Sequence, residues 1–250
     1  MPSVYDIYER KNYRNKISLA QAVSFDVEVR ETHLQIQAHS NLGAKAKDAV
    51  FRYRYQIEEY LRQHPAFRET AAPIQIYASA PEIVRYTDLA SRNTSVPPMS
   101  CMSGAIADFV GRDLAQDSSD MIVSSGGDAY IRASAPQEVH LYAQGSPMHE
   151  RLVLSLPPLK KCFGISTYVP NNKIHAVTVV SRSACWASAF AVDMGLRLGR
   201  GERLASVLDR ARDYKDVGGI VLISGSTLVV CGDMILKAVN GKGPAAVPGT

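Results

Sequence analysis

Hydrophobic and polar residues alternate from Ser24 to Val29 and again from Thr32 to Ala38, with Phe25, Val27 and Val29 on one face of the first run and Leu34 and Ile36 in the second. A period of two marks half-buried strands, so the two runs predict a hairpin. The period then changes. From Ala44 to about His64 the apolar positions Ala46, Val50, Tyr53, Ile57, Tyr60 and Leu61 recur three or four apart, a helix that His64-Pro65 ends. Arg52, Arg54, Glu58, Glu59 and Arg62 form its solvated face. Ile74 to Tyr77 reads as a short strand or extended piece, and Pro81 leads into a second helix from Glu82 to about Arg92.

The next stretch organises the chain. Val96-Pro97-Pro98-Met99 enters extended, and Ser103 with Gly104 is expected to open a helix with Ile106, Phe109, Val110 and Leu114 on its packed side and Asp108 and Arg112 facing elsewhere. Met121 to Val123 is a short apolar strand that stops on Ser124, Ser125, Gly126, Gly127 and Asp128. A small-residue helix start and a small-residue strand end thus lie close in sequence. Such residues let a ligand approach main-chain N–H groups, which attract phosphate-like anions at a helix start. The plainer reading of Gly-Gly-Asp is a turn.

Short strands follow at Ala129 to Arg132, Glu138 to Ala143, Leu152 to Leu156 and Phe163 to Tyr168, then a β-branched strand from His175 to Ser181 after a break expected to suit a tight hairpin. From Ala184 to Leu198 nearly every residue is small or apolar, which predicts a helix packed on all sides, Trp186 included. A further helix spans about Glu202 to Tyr214, and a final hairpin turns at Ser224-Gly225-Ser226. Hairpin-connected strands and covering helices give an α+β class with antiparallel sheets. The division is an arm over 1–19, one domain over 20–238 and a Gly- and Pro-rich flexible tail over 239–250. Two similar halves, about 20 to 118 and 120 to 238, fit the element order without a residue-level repeat.

Composition narrows the function. The 250 residues are 46% hydrophobic and 21% charged, with a net charge of +4 that is too weak to argue for nucleic acid. Cys101, Cys162, Cys185 and Cys231 are far apart, with no spacing for zinc or a disulfide frame, and read as reduced thiols of a cytoplasmic protein. No leader or membrane span is read.

The motifs Val96-Pro97-Pro98-Met99, Ser103-Gly104-Ala105-Ile106-Ala107-Asp108, Ile122-Val123-Ser124-Ser125-Gly126-Gly127-Asp128, Tyr142-Ala143-Gln144-Gly145-Ser146-Pro147 and Val177-Thr178-Val179-Val180 occur in an order that resembles the ApbE-like superfamily of FAD:protein FMN transferases. The nearest likeness is to its short prokaryotic branch without a lipoprotein signal. The resemblance spans about Tyr13 to Lys237. It implies an α+β, T-fold-related architecture and, for the flavin-transferring members, a site that binds FAD and magnesium and moves FMN onto a threonine. The metal-binding Asp and Thr of those members correspond to Ser188 and Val192 here. A hydroxyl and a valine cannot supply the oxygen set that magnesium demands, so magnesium is not expected.

The first expectation is therefore a divergent ApbE-like protein that binds a flavin (FAD or FMN), nucleotide or similar anionic small molecule through Ser103, Gly104, Ala105, Ser125, Gly126, Gly127 and Asp128. A second is an enzyme with rewired chemistry, in sulfur, cofactor or one-carbon metabolism, using Asp108, Asp128, Thr167 or His175. A third is a non-catalytic subunit or scaffold working through the Tyr5, Tyr8 and Tyr13 arm and the Trp186 region, although a Trp on a small-residue helix reads first as core. A homodimer is expected in each case, because open sheets with exposed edges are commonly paired.

Overall fold

The computed structural model describes residues 16–158, 162–170, 174–214, 216–232 and 234–239. Strands are β1 (Lys16–Ile17), β2 (Val23–Val29), β3 (Thr32–Ala38), β4 (Met121–Ser125), β5 (Asp128–Arg132), β6 (Gln137–His140), β7 (Leu152–Leu156), β8 (Phe163–Tyr168), β9 (Ala176–Ser181), β10 (Val217–Ser224), β11 (Thr227–Gly232) and β12 (Ile235–Ala238). Helices are α1 (Gly43–Gln63), α2 (Ala66–Glu69), α3 (Glu82–Thr94), α4 (Met102–Leu114), α5 (Ala184–Gly199) and α6 (Leu204–Arg212), with a 3-10 turn at Pro98–Cys101 before α4. The expected α+β class with antiparallel sheets is what the chain forms.

Eight strands make the main sheet, in the order β11-β10-β9-β8-β5-β4-β3-β2, and β1-β6-β7-β12 make a smaller one. Alternation along each central strand sends one residue set to each face. In β4, Met121 and Val123 join the core under the helices while Ile122 joins the core between the two sheets. Three layers result: helices, large sheet, small sheet. The β4 to β5 and β10 to β11 hairpins each close over two residues led by a glycine with φ +58°, the position where a type II′ turn wants Gly.

The large sheet repeats a unit. Two strands, a helical crossover and two strands run over 23–132 and again over 163–232, and each quartet lies in the sheet in chain order. The halves join where β5 pairs with β8, Asp128 opposite Ser166. The expected halves were placed differently, because the small sheet's β6 and β7 fall between the units.

Several local expectations shift. Ile74 to Tyr77 forms no strand, and β6 ends at His140, after which Leu141 bonds Leu152 and Glu150 singly. The β8 to β9 connection covers 169–175, too long for a tight hairpin. Asp108 does not face away from the packed side: it is fully buried. The arm's Tyr5, Tyr8 and Tyr13 and the tail from 240 onward lie outside the described residues. Trp186 is core, as expected.

Candidate functional site

The 3-10 turn runs straight into α4. Met102 N–H already bonds the carbonyl of Met99, so the helical path begins at Pro98 rather than at Ser103. Cys101, in the capping position, makes no side-chain bond to the helix start, its thiol donating instead to the carbonyls of Thr87 and Pro98. Ser103 therefore sits one residue inside the helix, half-buried, and its Oγ donates to Oδ2 of Asp128 at 2.5 Å.

Asp128 opens β5 just after the Gly126-Gly127 turn, and strand parity turns it to the helical face with Tyr130. Its other oxygen accepts from Ser166 Oγ on β8 at 2.6 Å. Three segments far apart in sequence thus meet at one end of the main sheet. Asp128 and Ser166 are fully buried, whereas Ser103 and Gly126 reach solvent in part. Ser125 is buried beside them and Ala105 is fully buried within α4.

Gly104 does something other than admit a ligand. A Cβ there would lie 2.5 Å from the carbonyl oxygen of Ala184, so its lack of a side chain lets α4 press on the start of α5. Gly164 on β8 is tighter still: a Cβ would fall 1.9 Å from Ala184 N and Ser183 C. Between them the N-terminus of α5 is wedged against strand and helix.

That N-terminus carries its own anion. Asp108 Oδ1 and Oδ2 accept the N–H groups of Ala184 and Cys185, each at 2.9 Å, and Ser183 Oγ accepts from Trp186 N–H at 3.2 Å. The carboxylate fills the place a bound phosphate takes at other helix starts. Burial raises the Asp108 pKa to about 6, outweighing the two N–H donors and the Arg112 charge that pull it down. Burial likewise pushes the Cys185 thiol and the Tyr86 hydroxyl up, Asp108 adding to both.

The catalytic candidates Asp108, Thr167 and His175 do not converge. Asp108 lies under the helices. Thr167 falls on the opposite face of β8, in step with Phe163 and Ile165 of the inter-sheet core, where its hydroxyl pairs with Thr178 at 2.8 Å. His175 lies half-buried at the rim: its Nδ1 accepts Gly225 N–H at 3.0 Å, and its ring lies against Gly145. Ser166, one residue from Thr167, is the hydroxyl that joins Asp128. The parity shared by Gly164, Ser166 and Tyr168 is the sequence signal that distinguishes them.

At the positions matching the family's metal ligands, Ser188 and Val192 are fully buried in α5, and Ser188 Oγ donates to Ser100 O at 3.3 Å. Among the described residues no group of three or more His, Cys, Asp or Glu could hold a metal. The pair does not fit magnesium, which needs several converging oxygens.

Residues 15–216 match the model of a family described as "AbpE bacteria". The chain belongs to this family. A UPF0280 protein of Methanospirillum hungatei is 31% identical over 227 residues, covering 86% of this chain and 91% of that protein. One from Methanocaldococcus jannaschii is 27% identical over 208 residues, covering 78% and 84%. Among solved structures, the flavin transferase ApbE of Vibrio cholerae superposes with a TM-score of 0.54 at 11% identity, over 90% of this chain and 98% of that one. The ApbE protein of Thermotoga maritima gives 0.54 at 10% identity, over 84% and 96%. At such identities the ApbE likeness establishes the fold. Together these place the chain in a divergent ApbE-like family. Among its described residues no helix is long and apolar enough to cross a membrane.

Proposed function

We propose that this protein is a cytoplasmic homodimer that binds a flavin, nucleotide or similar small molecule where Ser103, the Ser125–Asp128 turn and Ser166 meet, without magnesium-dependent FMN transfer. The observation that carries the reading is the meeting itself: hydroxyls from α4 and β8 are fixed on one buried carboxylate behind the half-open Ser103 and Gly126. With its hydrogen given to Asp128, the Ser103 hydroxyl presents fixed acceptor lone pairs at a small-residue mouth, which suits an N–H on the edge of a flat polar ring that needs directed hydrogen bonds and close main-chain approach. Asp128 acts as a positioning group, since it is itself closed to solvent. A nearby carboxylate disfavours phosphate, so the ring rather than the phosphate end of such a ligand belongs at Ser103. The flavin transferases that share the fold support the ligand class.

Native mass spectrometry of the purified protein, with and without FAD and magnesium, tests this. A retained or added flavin or nucleotide mass that is independent of magnesium and lost in Ser103→Ala is the expected result. No bound mass, together with no thermal shift from flavins, nucleotides or pterins, would overturn it.

A further inference from the structure

Each sheet exposes two edges, and three of the four are blunted. β1 covers two of the described residues. β12 has four, and its Lys237 is paired with Glu138 at 2.9 Å. β2 carries Asp26 and Glu28, with His33 reaching across to both at 3.0 and 3.6 Å. Short length and charge are the features that keep edges from pairing with other chains. β11 has neither: its sequence Thr-Leu-Val-Val-Cys-Gly runs six residues without charge or proline.

The β11 backbone is open on one side. In a hairpin closed over two residues the closing pair, here Ser224 and Thr227, is hydrogen-bonded, so alternate residues Leu228 and Val230 direct N–H and C=O away from β10. Val230 is 38% exposed, and Ile235, just beyond on β12, is 64% exposed. The open backbone therefore adjoins apolar side chains at the same end of the sandwich.

We propose that β11 is the interface of the homodimer, pairing antiparallel with β11 of a second copy across a twofold axis; this rests on the homodimer reading above. Charge selects the partner. An uncharged strand opposes no like charges in any self-paired register, whereas β2 paired with its own copy would bring Asp26 and Glu28 against each other. Pairing β11 with β2 of another copy would repeat the internal β5 to β8 seam but leave a free edge at each end, which propagates, while twofold pairing closes.

The chain's own ends are poorer occupants. Residues 240–250 contain two prolines and three glycines, which disfavour a strand. At the other terminus, Leu19 N–H bonds Gln37 Oε1 of β3, which places the start of the described chain at the end of the sandwich far from β11.

Light scattering and native mass spectrometry across micromolar concentrations decide the matter. Wild type is expected at twice 27.3 kDa. Val230→Pro removes an N–H that the hairpin does not use, so it should give a folded monomer; Val230→Lys should do the same if the proline variant fails to fold. Phe51→Glu with Tyr55→Glu, which alters the exposed apolar pair on α1, should remain dimeric. Hydrogen exchange at Leu228 and Val230 should be slow in wild type and about tenfold faster in the lysine variant. A dimer that survives both Val230 changes overturns the β11 interface and leaves the homodimer standing. A wild-type monomer overturns both.

Discussion

Asp108 on α4 caps Ala184 at the start of α5, carboxylate oxygen to main-chain N–H at 2.9 Å, across 76 residues of chain. Its second oxygen holds Cys185 in the same way. Replacing Asp108 with Ala would leave two buried N–H groups without an acceptor. A loss of about 3 kcal/mol in unfolding free energy is expected from denaturant titration. Asn, which keeps one acceptor oxygen, should lose less. Equal stability of Ala variant and wild type would show that the cap is dispensable.

The same carboxyl gives a pH signature. Its folded pKa of about 6 lies above the ordinary 3.8, so the folded state holds the proton more tightly than the unfolded chain. The stability this confers is complete below about pH 4 and is lost as pH rises through 6, by up to about 3 kcal/mol. Glu31, Glu59 and Glu150 have lowered pKa values and slope the other way. The quantity to measure is thus wild type minus Asp108→Asn from pH 4 to 7. A flat difference would refute the assignment.

Gly164→Ala should be among the most damaging single methyl additions, because the new Cβ would meet Ala184 N at 1.9 Å. Backbone atoms cannot step aside as a flexible side chain does. A cost of about 3 kcal/mol, or failure to fold, is expected. Gly218→Ala, with nothing nearer than 3.7 Å, should cost less than about 1 kcal/mol. Similar melting temperatures for the two would contradict the wedged geometry.

Ser166→Ala removes a hydroxyl that donates to Asp128. A hydrogen bond to a buried charge contributes about 1.5–3 kcal/mol, so a loss in that range is expected by denaturant titration. Thr167→Val, one residue on, breaks a neutral hydroxyl pair with Thr178 and should cost about 1 kcal/mol. Equal costs would mean that the two hydroxyls are not distinguished by the carboxylate.

His175→Ala should loosen the Ser224–Thr227 turn, whose Gly225 N–H bonds the ring. Exchange of that amide should rise about tenfold, while the Ala184 amide under Asp108 is unchanged. Faster exchange at both would imply that the rim and the helix cap open together.

Much of the fold was legible in residue periodicity. The β2–β3 hairpin, α1 and the all-round apolar α5 each announce themselves within one local window, and packing reinforced those preferences. What periodicity could not show is contact between distant segments. Asp108 reads as a polar residue on a helix and hence as solvent-facing, because its acceptor role depends on Ala184 and Cys185, whose N–H groups every residue type except proline shares. Gly104 reads as room for a ligand, yet the room is taken by α5. Ser103 and Asp128, which lie near one another in sequence, are joined by a hydrogen bond, whereas telling Ser166 from Thr167 depends on strand parity, where one residue changes the face.

The Asp128 to Ser166 bond crosses the single seam between the two repeated units of the main sheet. A doubled scaffold would ordinarily offer every feature twice, but a junction between tandem copies occurs once per chain. The polar centre is therefore a product of the joining itself: neither unit, cut free, would possess it, and substitutions on either flank could specialise it without any matching change elsewhere.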